Sequence, residues 1–94
     1  MQTVIAKNNT VSDITYAELG GAVVSGSGQT TLSDVSTVYE INLSTSLETD
    51  ILAGDITISD GNNDFTETSA LNYINFIDKK SSQEYSIVMA IALG

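Results

Sequence analysis

The apolar and polar positions of this chain fall into short runs around one dense centre, Thr45–Gly61 (TSLETDILAGDITISDG). Leu47, Ile51 and Leu52 recur at the spacing of one helical face. Thr45 stands where an N-cap hydroxyl is wanted, and Glu48 is placed to complete a capping box with it. Gly54 supplies the left-handed residue that ends such a helix. Ile56 and Ile58 then alternate with Asp55, Thr57 and Ser59, the period of a half-buried strand over 55–59. Asp60-Gly61 turns the chain again.

Upstream, Thr3–Ala6 reads as a first strand, broken at the turn-forming pair Asn8-Asn9. Ile14–Tyr16 alternates as a second strand, with Leu19 behind it and Gly20-Gly21 as a break. Ala22–Val24 and Gln29–Leu32 flank Ser25-Gly-Ser-Gly28, a loop of residues that tolerate positive φ, and the arrangement predicts a hairpin. Asp34 or Ser36 can cap a short helix through Val38, Tyr39, Ile41 and Leu43. The caps at Ser44-Thr45 favour two helices with a corner over a single bent one across about 36–53.

Downstream, Asp60–Asp64 is a polar turn. Thr66 is placed to cap a further helix, with Phe65 as a staple onto Ala70. Leu71, Ile74 and Ile77 give that helix its apolar face, flanked by Tyr73 and Phe76. Lys79–Ser82 closes it with positive charge at the C-terminus. Tyr85–Leu93 is almost continuously apolar and reads as a strand covered on both faces. Such a strand lies either at the centre of the monomer core or at a contact between subunits. The contact reading assigns the interface to Ile87, Met89, Ile91 and Leu93, or to the alternate set Val88, Ala90 and Ala92. The pattern therefore predicts an α+β fold: one domain over residues 1–94, a small antiparallel sheet with two or three short helices on one face.

Composition narrows the partners. Twelve acidic residues face three lysines, Lys7, Lys79 and Lys80, for a net charge of −9. Phosphate neutralisation needs clustered Lys or Arg, so neither a nucleic acid nor an anionic membrane surface suits the chain. Cysteine and proline are both absent. With no disulfide or thiolate metal site to staple it, a domain this small is marginal alone, which favours oligomerisation or docking on something larger. No basic leader precedes an apolar run at the N-terminus, and the seven-residue run Ile87–Leu93 is short of the roughly 20 residues a membrane-spanning helix needs.

Chemistry-bearing motifs are sparse. Histidine and cysteine are missing, which removes the commonest general base, thiol nucleophile and transition-metal ligands together. Gly26-Ser-Gly28 is followed by no Walker lysine and no helix, and reads as a turn. Asp60, Asn62 and Asp64 match the first ligand spacings of a calcium loop, but Phe65 stands where that loop needs glycine and Leu71 where it needs glutamate. The expectation is a protein without catalytic residues, cofactor or metal. A glycan-binding module would use Tyr16, Tyr39, Tyr73 or Tyr85 as stacking platforms, but these are scattered and tryptophan is absent.

Glu18–Ser33 (ELGGAVVSGSGQTTLS) and Ser44–Gly61, running into Asp64-Phe-Thr66 and Ala70–Ile74 (ALNYI), resemble a small virion structural domain of tailed bacteriophages. The likeness lies in turns and apolar positions and covers roughly residues 4–77. It implies a non-enzymatic assembly part of the virion, put together in the host cytoplasm: a capsid decoration or head-to-tail accessory subunit. Its implied partners are further copies of itself and other virion proteins, such as the major capsid or neck and tail proteins. A receptor- or glycan-binding tip module of a phage fibre is the alternative. The shared positions look structural, so the resemblance carries over no functional residue.

Overall fold

A computed structural model describes residues 3–93, with side chains described for residues 3–80. The fold is α+β. Strands β1 (Ile5–Asn8), β2 (Ile14–Tyr16), β3 (Ala22–Val24) and β4 (Gln29–Thr31) precede helices α1 (Val38–Leu43) and α2 (Thr45–Leu52). Strands β5 (Ile56–Ser59) and β6 (Asp64–Phe65) then lead into helix α3 (Glu67–Leu93). A four-stranded antiparallel sheet has the order β4-β1-β5-β6, and β2 and β3 form a separate two-stranded sheet.

Register explains which side of the larger sheet is buried. Ala6 pairs with Ile58 and Asn8 with Ile56, so these four share a face, and all four are buried. Against it pack Leu47 and Ile51 of α2 and Ala70, Ile74 and Ile77 of α3, with Tyr16, Leu19, Val24 and Leu32 closing the core from the other sheet and its flanking turns.

The two caps follow local rules. Thr37 begins α1: its hydroxyl accepts the Glu40 N–H at 3.1 Å as an N-cap and donates to Glu40 Oε1 at 3.0 Å. The expected caps Asp34 and Ser36 lie too early, because Leu32–Asp34 is taken up by a 3-10 turn. Ser44, not Thr45, begins α2. Its hydroxyl accepts the Leu47 N–H at 3.2 Å and donates to Glu18 at 2.7 Å, while its own N–H closes α1 onto the Ile41 carbonyl. A serine fits because that site is buried and needs both an acceptor and a donor; Thr45 is exposed. Leu52, half a face away from Leu47 and Ile51, is 51% exposed and not part of the buried stripe. Gly54 has the expected left-handed φ of +82°.

Three further expectations are corrected. The first strand starts two residues later than Thr3 and runs through Asn8, whose N–H reaches the Gly28 carbonyl. The expected hairpin across Ser25–Gly28 has the right strands and the wrong pairing: β3 pairs with β2, and β4 with β1. The loop docks instead on residues 10–13, with Ser27 N–H on the Thr10 carbonyl and Gly26 N–H on Asp13. A Cβ at Gly26 would lie 2.3 Å from the Val11 carbonyl oxygen, so only glycine allows that approach.

The third correction is the largest. Residues 85–93 are not a strand; α3 runs as one helix of 27 residues, so this helix is not short. No glycine or proline interrupts Glu67–Leu93. Once nucleated, a helix propagates at one hydrogen bond per added residue, and Met89, Ala90, Ala92 and Leu93 are good helix formers. Lys79–Ser82 therefore does not end it. The alternating set Ile87, Met89, Ile91 and Leu93 follows the strand period, which a helix does not keep; the side chains of these four lie outside the described residues.

Candidate functional site

A cleft of about 240 Å³ opens where α1, α2 and α3 meet. Its floor is aliphatic: Ile41, Leu47, Ile51, Leu71 and Ile74. Its rim is polar: Asn42, Ser44, Glu48, Asn72 and Asn75. The corner between α1 and α2 creates it, because Ser44 breaks the axis and leaves α3 to span the angle between two short helices. Leu71, partly buried beside the core, is the floor residue nearest the mouth.

Hydrogen bonds fix parts of the rim. Asn42 Nδ2 donates to Asp78 Oδ2 at 2.9 Å and, more weakly, to Asn75 Oδ1 at 3.4 Å. Ser44 holds Glu18. That bond, with the backbone N–H of Glu18 itself second, keeps the Glu18 carboxyl below the usual range. No family model, curated protein or solved structure matches this chain. The cleft is therefore read on its chemistry alone.

The other motifs resolve into local structure. Asp60 Oδ1 accepts the N–H groups of Asn62 at 2.8 Å and Asn63 at 2.7 Å, which holds its carboxyl below the ordinary range. Asp64 takes the Lys7 ammonium at 2.9 Å, with the same effect on its carboxyl. The two carboxylates of the calcium-like spacing thus serve different partners. Among the described residues no group of three or more acidic side chains is placed to hold a metal ion.

Of the tyrosines, Tyr16 is buried and donates to Asp50 at 2.6 Å; burial first, then Asp50, raises its pKa. Tyr73 stacks on Phe65 at 4.6 Å between ring centroids and donates to the Thr3 carbonyl at 2.7 Å. Phe65 is thus a stacking partner of Tyr73 and packs against the core that holds Ala70. Tyr39 is exposed, and Tyr85 lies outside the described side chains. The three described tyrosines do not form one platform.

Sequence reasoning missed the asparagine rim. A signal was present: asparagine is a poor helix former, yet Asn42, Asn72 and Asn75 all sit within helices.

Proposed function

We propose that this chain is a non-enzymatic bacteriophage virion structural protein, a capsid decoration or head-to-tail accessory subunit that assembles as a homo-oligomer on the particle. The observation that carries this reading is the length of α3. A helix of 27 residues is about 40 Å long at a rise of about 1.5 Å per residue. The molecule measures 53 × 24 × 22 Å, so the helix exceeds both shorter dimensions. Its last turns carry the uninterrupted apolar run Ile87–Leu93, and a helix apolar all round calls for burial. Further copies of the chain, or a capsid, neck or tail protein, supply that cover.

The positions that carry the phage resemblance support the same reading. They include Gly20, Gly21, Gly54 and Gly61, all at positive φ, and the buried Leu19, Leu47, Ile51, Ile56, Ile58, Ala70 and Ile74. These specify a shape to be packed.

The test is reconstitution. Purified protein added to particles assembled without it is expected to bind in a fixed stoichiometry and to appear in negative stain at one repeated location. Protein that stays monomeric and leaves such particles bare contradicts the proposal.

A further inference from the structure

We propose that the cleft between α1, α2 and α3 is a docking site for a partner protein segment that presents one branched aliphatic side chain beside a lysine or arginine. This goes beyond the assembly reading, because it concerns a different surface and does not depend on residues 85–93.

Size decides the class of occupant. Pockets for cofactors and drug-sized molecules run to about 300–1,000 Å³, and this cleft holds about 240 Å³. That suits the knob of a single large side chain better than a small-molecule ligand. Ile41, Leu47, Ile51 and Ile74 are already buried in the core, so the partly exposed Leu71 is the aliphatic surface on which a leucine- or isoleucine-like knob packs.

The rim suits a peptide around that knob. Among the described residues Asn42 uses only its Nδ2, and Asn75 only its Oδ1. Among the described residues the Asn72 amide makes no hydrogen bond to protein. Amide oxygens and amide N–H groups around one opening match the alternating C=O and N–H groups of a peptide backbone. An apolar knob in an interhelical groove is a recurring mode of peptide recognition.

Charge selects the neighbour of the knob. Glu48 lines the cleft, Glu18 is bonded to the lining residue Ser44, and Asp78 to the lining residue Asn42. Lys79 and Lys80 follow Asp78, and Lys79 falls one helical turn after the rim residue Asn75, so the acidic side of the rim is the Glu48 and Glu18 end. In a chain of net charge −9 this rim attracts a basic group and repels an acidic one.

The experiment selects a displayed random-peptide library on the intact chain and titrates the enriched peptides by calorimetry. Enrichment of an aliphatic residue beside Lys or Arg is expected, with affinity falling as salt rises. Leu71→Lys and Glu48→Lys should each weaken binding by about tenfold or more. Glu48 is exposed, so its variant tests the site even where Leu71→Lys fails to fold. The proposal is overturned by an absence of enriched peptides, by enriched peptides without a basic residue, or by binding that Glu48→Lys leaves unchanged. Sedimentation of the free chain tests the assembly reading separately, so failure of one is distinguishable from failure of the other.

Discussion

Asn8 and Ile56 face each other across β1 and β5 on the buried side of the sheet, and they hold their surroundings by opposite means. Around Ile56 regular elements meet: β5, α2 and α3 have paired their own backbone groups, so aliphatic contact suffices to join them. Around Asn8 the chain is irregular over residues 9–13 and 25–28, and its carbonyls need partners. Asn8 Nδ2 donates to Ser12 O at 2.8 Å and Val24 O at 2.9 Å, while Oδ1 accepts from Thr10 N at 2.8 Å and Thr10 Oγ1 at 2.7 Å. One amide thus uses both its donors and both its lone pairs. The aliphatic layer should respond to volume, the polar knot to chemistry.

The largest effect is expected in the aliphatic layer. Ile58, with no exposed surface, should cost about 3 kcal/mol or more on Ile58→Ala, within the usual range of about 2–5 for buried Ile or Leu. Guanidinium unfolding measures it, and Ile58→Val should recover most of the loss. Next comes the knot. Asn8→Ala removes the side-chain donor to the buried Val24 carbonyl and one of the two donors to the Ser12 carbonyl, at a cost of about 1–3 kcal/mol. Asn8→Leu restores the volume without the amide and should be no better; a Leu variant as stable as the parent would erase the contrast between the two regions.

Ser44→Ala should cost about 1 kcal/mol through the lost cap. It should also change the acid limb of stability. The carboxyls of Glu18, Asp60 and Asp64 are held below their ordinary range. The folded chain therefore binds these protons more weakly than the unfolded chain, and their contribution is complete above the unfolded value near about 4. It is lost as pH falls through the depressed folded values. Ser44→Ala removes the main cause at Glu18, so the fall in stability with acid should become shallower. At the alkaline end the sign reverses: the raised pKa of Tyr16 means the unfolded chain ionises first, so stability should fall above about pH 10. Tyr16→Phe should flatten that limb in a pH series of thermal melts. Lys7→Ala, which opens the exposed bridge to Asp64, should produce the smallest shift in midpoint of all.

What could be read in advance follows the range of the interactions. From Thr45 to Gly61 the signals are local, and the helix, the Gly54 stop and the strand of Ile56 and Ile58 are where the periodicity puts them. The cap moved by one residue because adjacent hydroxyls were equally eligible and Glu18, 26 positions away, decided between them. The hairpin failed for a non-local reason too, since residues 10–13 capture the loop at Gly26. The final strand failed differently: a short run that is apolar at every position has no period to read, and the unbroken helix behind it decided. The cleft needed the packing of three helices and was legible only as misplaced asparagines.

Sedimentation velocity over a concentration series, on the full chain and on a chain ending at Lys80, bears most directly on the claim that α3 outruns the body to make an assembly surface. The full chain should associate as its concentration rises, while the shortened chain should remain a folded monomer. A full chain that sediments as a monomer throughout, or a shortened chain that associates as strongly or no longer folds, would contradict it.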